Sequence, residues 1–386
     1  MILSLMVLLP TLYTIPRGIH ILASILIAIK LLNYRLVFNM DVILYTLSIV
    51  LLSLLSVVNG ILQGNDVISA LPMYVVWPLV FLFLINHKTS KRDLQQYEYV
   101  IVFSTLLGCV FVTFGVINII TYGKTYLFTE IYPVEIGFVN GLPKFGSQFL
   151  PVLCFTIPFV FFSSLTSNNI KRYLYNLCFI FMLVFALFSG RSVFILVVIL
   201  IMIISTIYFI IFRNKRRKLL SGILLFVTLI SVPLISHKEE STKILSIFVD
   251  KIMSNDNEEL NSGRRSEQFS NIINRIQDNP VIGFGINAPE SLNSNVISFE
   301  LTYLQLLLNF GTLGFSLIVI FNLVFLFLVI RYFKKCNNLE LIIPWIIGYI
   351  SYMICAATNP ILLKFDRIWL ICIPIFLYCH RKRIIY

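Results

Sequence analysis

The sequence predicts an all-α polytopic membrane protein of about twelve transmembrane helices, on three observations. The chain is 58% hydrophobic and only 12% charged, with a mean hydropathy of +0.91, whereas soluble domains carry roughly a quarter charged residues. Apolar runs of about 17 residues or more recur along it, each long enough to cross a hydrocarbon core as a helix. The alternation of a β-barrel is absent, and a backbone that leaves water must satisfy its own polar groups, so the spans are expected as helices.

In chain order the spans fall at about 1–16, 18–34, 41–60, 70–86, 97–120, 146–165, 173–189, 192–212, 219–236, 300–330, 339–357 and 361–379. The first opens without a basic segment or a small-residue cleavage site, so it is expected to be a retained helix rather than a cleaved signal. The formal charge of +12 would suit nucleic acid, but its distribution excludes that partner. Lys88/Lys91/Arg92, Lys171/Arg172, Arg213/Lys215/Arg216/Arg217/Lys218, Arg331/Lys334/Lys335 and Arg381/Lys382/Arg383 all lie in short segments between or after spans. Threaded from a cytoplasmic N-terminus, every one of these clusters falls inside, with both termini cytoplasmic.

That threading divides the chain into helices 1–9 over residues 1–236, a large outside loop over 237–299, and helices 10–12 with a cytoplasmic tail over 300–386. Two further outside segments are about 121–145 and the tight turn Ser189-Gly190-Arg191. These face away from nucleotide pools, so any reaction there needs an activated substrate delivered by the membrane. No internal repeat of the transporter kind is evident. The seven cysteines (Cys109, Cys154, Cys178, Cys336, Cys355, Cys372, Cys379) sit in apolar surroundings without CxxC or histidine pairing and read as packing residues.

The large loop carries most of the candidate chemistry. Phe269, Ile272, Ile273 and Ile276 fall at i, i+3, i+4 and i+7, which predicts an amphipathic helix, capped by Asn261 or Ser262 and ended by Asn279-Pro280. It lies either on the membrane interface or over a cavity mouth, or else packs within a small cap. Arg264, Arg265 and Arg275 accompany it. A guanidinium fork suits bidentate phosphate binding, and a diphosphate needs more than one such fork, although solvated loop arginines look the same in sequence.

Arg191 either snorkels from a helix end or lines a site. Glu300 closes the loop at the membrane boundary, where partial desolvation would raise its pKa and suit it to act as a base on a sugar hydroxyl; a carboxylate favoured by a helix N-terminus is the plain alternative. Lys364 and Arg367, flanking Asp366, could form a second basic wall for an anionic head group. GFGINA at 283–288 matches the letters of a dinucleotide turn, but no strand precedes it and no βαβ unit surrounds it, so the match is read as coincidence. Asp250, Asp256, Glu258 and Glu259 fit no calcium-loop spacing and read as a solvated face.

Taken together, these residues resemble the O-antigen ligase and polymerase superfamily of bacterial envelope glycan assembly. The likeness runs through Ser189-Gly190-Arg191, then Gly263, Arg265 and Phe269, then Pro280, Gly283 and Gly285, then Glu300, Tyr303, Leu304, Leu306, Leu307, Gly311 and Gly314. The motif part covers about 70 residues and the topology the whole chain. Either arginine of the 264/265 pair could be the family residue, and Phe269 favours Arg265. Ligases of the superfamily carry histidine, usually followed by asparagine, where this chain has Glu300-Leu301. The histidines here are His20, His87, His237 and His380, so the departure favours a polymerase.

The resemblance implies a GT-C-like, metal-independent glycosyltransferase without a cofactor. It would polymerise undecaprenyl-diphosphate-linked oligosaccharide repeats at the outer face of the bacterial cytoplasmic (inner) membrane, with the large loop periplasmic. Arg191 and Arg265 would serve the leaving diphosphate, Glu300 the acceptor hydroxyl, and Arg264, Arg275, Tyr303, Lys364 and Arg367 substrate binding. The implied partners are the lipid-linked glycan, membrane lipid, and a chain-length regulator and flippase of the same pathway. The other readings are an O-antigen ligase acting on lipid A-core and a lipid-linked oligosaccharide transporter. A transporter should scatter ionisable residues along the middles of its spans, whereas here charge gathers on one rim.

Overall fold

The computed structural model describes residues 40–68, 71, 89–122, 134–139, 142–147, 149–167, 169–189, 193–211, 259–289, 301–357 and 368–385. The expected spans at 1–16, 18–34 and 219–236, and nearly all of 70–86, lie outside these residues. The described helices are α1 (Met40–Leu62), α2 (Lys91–Tyr122), α3 (Leu153–Thr166), α4 (Asn169–Phe188), α5 (Val193–Ile211), α6 (Glu259–Asp278), α7 (Thr302–Lys335), α8 (Leu339–Ala356), α9 (Ile368–Ile371) and α10 (Ile373–Ile385). Among the described residues, five stretches are long and apolar enough to cross a membrane by length and composition, namely Met40–Leu62, Lys91–Thr121, Ile170–Phe188, Thr302–Lys335 and Leu339–Ala356. The chain is a multi-pass membrane protein.

One element corrects the all-helical expectation. Strands β1 (Val134–Val139) and β2 (Leu142–Ser147) pair antiparallel, with Val139 opposite Leu142. The two residues between them are Asn140-Gly141, the strongest short hairpin signal, flanked by the alternation of Val134, Ile136 and Phe138. The span placed at 146–165 therefore starts later, because β2 runs to Ser147 and a short 3-10 turn over Leu150–Val152 leads into α3.

The distribution of side chains on α1 is that of a helix in lipid. Its buried face is Val42, Thr46, Ser53, Ser56, Val57 and Gly60, mostly small residues at helical spacing. Leu44, Leu47, Leu51, Leu55 and Ile61 point outward and are exposed. Small residues let neighbouring backbones approach, while large apolar ones face hydrocarbon at no cost. α2 starts at a capping box: the Ser90 N–H donates to Asp93 Oδ2 at 2.7 Å and the Asp93 N–H returns to Ser90 Oγ at 3.3 Å, which satisfies two of the donors a helix start leaves open.

At the centre, α3 is buried from Leu153 to Leu165, between α4 and α8. A Cβ on Gly348 of α8 would lie 2.8 Å from the Phe155 ring, so glycine is what lets the two helices close. Phe155, Phe159 and Trp345 fill the joint, with Phe159 and Trp345 edge-on at 5.0 Å. Cys109, Cys154, Cys178 and Cys355 are buried among apolar neighbours, in line with packing roles.

Polar contacts gather at opposite ends of the described helices. On one side Lys171 pairs with Glu98 at 3.2 Å, Tyr378 donates to Asp41 at 2.8 Å, and the Arg381 guanidinium stacks 3.7 Å from the Tyr378 ring. On the other, the Phe145 N–H reaches Ser189 O at 3.2 Å and the Tyr303 hydroxyl reaches Met353 O at 2.5 Å. The second group is the end the topology assigns to the outside.

Candidate functional site

The candidate site is built around an interruption in α7. Gly311 has φ 64° and ψ −178° inside an otherwise helical segment, a conformation that a side chain would strain. In an unbroken helix the N–H groups of Thr312 and Leu313 would bond to Leu308 O and Asn309 O. Here they bond instead to Pro280 O at 2.8 Å and Val281 O at 3.2 Å, while Leu308 O and Asn309 O accept from Phe284 N at 2.8 Å and Gly285 N at 3.1 Å. Two rungs of the helix have been exchanged for four bonds to the loop 279–289. Non-helical backbone near membrane depth is tolerated only where such partners exist.

The loop is also clamped to α1. The Ile286 N–H donates to Ser56 O at 3.1 Å and Ser56 Oγ to Asn309 O at 3.1 Å. Asn59 Nδ2 donates to Gly283 O at 2.9 Å, as does Asn279 Nδ2 at 2.6 Å, and Asn65 Nδ2 reaches Phe284 O at 2.9 Å. Backbones touch here. A Cβ on Gly285, at φ +81°, would sit 2.1 Å from Gly60 N, and one on Gly283, at φ +77°, 2.5 Å from Gly311 N. The GFG letters that resembled a nucleotide turn thus have a packing reason.

This closeness makes a direct test. Gly285→Ala combines left-handed strain with the loss of the bonds to Asn309 and Ser56, on the order of 3 kcal/mol. Gly64, also left-handed at φ +76°, has nothing within 4 Å of its Cβ position, so Gly64→Ala should cost only about 1 kcal/mol. Thermal melting of the purified protein should therefore drop several degrees further for Gly285→Ala; equal drops would mean that the close approach contributes nothing.

α6 packs on the start of α7 through this loop. Ile272, Ile276, Ala288 and Leu308 are buried together, with Phe284, Leu304 and Leu307 against them. The helix ends at Asp278, as Asn279-Pro280 predicted, but its buried face is rotated from the predicted one. Phe269 is 51% exposed, while Gln268 and Arg275 are buried beside Ile272 and Ile276. The reason is the partner surface: the Arg275 guanidinium lies 4.6 Å over the Phe284 ring and donates to Pro289 O, so an arginine can be buried where hydropathy places an apolar residue. Burial pushes this guanidinium below its ordinary value, with the Asp278 carboxylate opposing, and its Nε is buried without a partner.

Of the residues singled out in the sequence, the structure brings Arg275 and Tyr303 to the same end of the molecule, on α6 and at the start of α7. Tyr303 ties that start to the end of α8 through Met353 O. Arg264 and Arg265 lie on α6, at register positions that straddle the line of Gln268 and Ile272 at 100° per residue. Arg191, Glu300, Lys364 and Arg367 lie outside the described residues. Ser189, two residues before Arg191, is buried and held by β2 through the Phe145 N–H. Glu300 immediately precedes Leu301, where α7 begins. Sequence reasoning missed Ser56, Asn59, Asn65 and Asn279; the signal was the polar run Ser56, Asn59 and Gly60 closing an apolar span.

The sequence model of the O-antigen ligase family aligns with residues 177–319. The aligned stretch runs from α4 to just past the break in α7, and so contains α6, the loop 279–289 and the start of α7, while the α1 residues that the loop is clamped to lie outside it. It is consistent with the O-antigen ligase and polymerase superfamily, and supports a glycosyl-transferring function in O-antigen assembly without separating ligase from polymerase. No curated protein and no solved structure matches the chain.

Proposed function

We propose, from the O-antigen ligase family match over residues 177–319, that this protein polymerises undecaprenyl-diphosphate-linked oligosaccharide repeats at the outer face of a bacterial inner membrane. The observation that carries the reading is the clamp itself: it fixes the arginine-bearing helix α6 against the start of α7, two residues after Glu300 in the chain. The full chain would hold about twelve spans in a GT-C-like arrangement, with both termini cytoplasmic and residues 237–299 periplasmic.

In this reaction the terminal hydroxyl of the acceptor repeat attacks the anomeric carbon of the donor chain. The new glycosidic C–O bond forms as the bond to the donor's diphosphate breaks, and undecaprenyl diphosphate leaves. Glu300 takes or orients the hydroxyl proton. Arg191 and Arg265, with Arg264 beside them, bind the diphosphate and neutralise the charge that develops on it, a role that elsewhere falls to a divalent metal. Lys364 and Arg367 extend the basic wall, and Tyr303 lines the acceptor side. A chain-length regulator and the flippase that delivers the substrate are the partners that the family resemblance implies.

The match to the O-antigen ligase family supports a second reading, a ligase that moves finished glycan to lipid A-core. Removing the gene separates the two. Loss of a polymerase leaves lipid A-core capped with a single repeat, because a separate ligase still transfers unpolymerised units. Bare core with long chains accumulating on undecaprenyl diphosphate would replace the polymerase reading with the ligase one.

A further inference from the structure

The turn that follows α6 carries two large apolar side chains into the open. Val281 is 52% exposed and Ile282 64%, although the adjacent backbone is hydrogen-bonded to α7. Val281 O accepts the Leu313 N–H at 3.2 Å and Pro280 O the Thr312 N–H at 2.8 Å, so the turn is pinned beside the fourth turn of α7. Leu313 is itself 54% exposed and heads a stripe of exposed residues, Ile320 at 53%, Leu323 at 58% and Phe327 at 60%. With Ser316 between them, their spacing of three and four residues defines a single face of α7. On a spanning helix such a face is the one turned to lipid.

The depth of the turn follows from the far end of the same helix. Arg331 is the first charge after the apolar run, followed by Lys334 and Lys335, and it marks one boundary of the hydrocarbon. About 20 residues at 1.5 Å each are needed to cross roughly 30 Å. Counting back from Arg331 brings the other boundary to Gly311, where the helix breaks. The earlier part of α7, from Thr302 to Phe310, is occupied with α6 and the loop through Leu304, Leu307 and Leu308, as an extramembrane packing layer would be.

We propose that the turn Pro280–Ile282 is a membrane-inserted wedge that dips into the acyl chains of the leaflet on the Glu300 side and continues the lipid-facing stripe of α7. The loop 237–299 is then not wholly aqueous, and the break at Gly311 marks where water ends. This fixes the C-terminal part of α6, which carries Arg275 and packs on the loop and the start of α7, at head-group depth, the level at which a lipid-borne anion sits. It follows from exposure, hydrogen bonding and helix length, and stands whether or not the polymerase reading does.

The test is collisional accessibility in the full-length protein reconstituted in phospholipid vesicles. Nitroxide labels are placed at Val281→Cys, Ile282→Cys, Leu323→Cys and Gln277→Cys, the last being an exposed position of α6, and the signal of the parent's own cysteines is subtracted. Oxygen dissolves in hydrocarbon and a polar nickel chelate does not. The ratio of oxygen to nickel collisions at 281 and 282 should clearly exceed that at Gln277 and stay below that at Leu323, which the same count places near the middle of the hydrocarbon. A ratio at 281 and 282 equal to that at Gln277 would place the turn in water and overturn the proposal. Low accessibility to both reagents would mean that another protein surface covers the turn, and would overturn it equally.

Discussion

Cells whose only copy carries Glu300→Gln are expected to lose long-chain polymer and display lipid A-core capped with a single repeat. The amide keeps the shape of the side chain and removes its basicity, and a positioned base typically contributes about 10²–10⁴-fold to rate. Band intensity of the surface polysaccharide on a gel, against protein level in the same membranes, measures the effect. The competing role is electrostatic: a carboxylate at the start of α7 is favoured by the helix dipole by about 0.3–1 kcal/mol. A variant with wild-type ladders would reduce Glu300 to that role and leave the enzyme class standing. If instead Glu300→Gln gave bare core with chains held on undecaprenyl diphosphate, the residue would belong to a ligase.

The arginines should be as sensitive. Arg191→Ala and Arg265→Ala should each abolish the ladder at unchanged protein level, since removing one donor from a preorganised anion site costs roughly 10²–10³-fold in rate. Lysine at either position should restore only part of the ladder, because a point charge cannot replace a planar fork that binds two oxygens. Arg264→Ala is the internal comparison: a smaller loss there assigns the family role to Arg265, and the reverse order would move it to Arg264. Full ladders from both Arg191→Ala and Arg265→Ala would remove diphosphate binding from these residues.

Much of the architecture was legible because it depends on local rules. The spans at 41–60, 97–120, 173–189 and 339–357 match α1, α2, α4 and α8 within a few residues at most ends, since an apolar run in lipid has no alternative to a helix. α6 ended where Asn279-Pro280 said it should. The hairpin of β1 and β2 was equally legible in Asn140-Gly141 and the alternation before it, and was missed because the hydropathy of a long apolar chain drew attention to spans alone.

What the sequence by itself determined is therefore a multi-pass helical protein, and a helix carrying Arg264, Arg265 and Arg275 that ends at Asp278. Only the tertiary structure decided which face of that helix is buried and where α7 breaks. Burial of Arg275 in preference to Phe269 needs the Phe284 ring and the Pro289 carbonyl, which come from a separate segment. The break at Gly311 needs Pro280, Val281, Phe284 and Gly285 to supply the hydrogen bonds that the helix gives up. Periodicity reports a residue's preference for its own element. Whether a polar group can be buried, or a helical bond surrendered, is set by the partner that replaces water, and that partner lies 14 residues away for Arg275 and Pro289 and 253 away for Asn309 and Ser56.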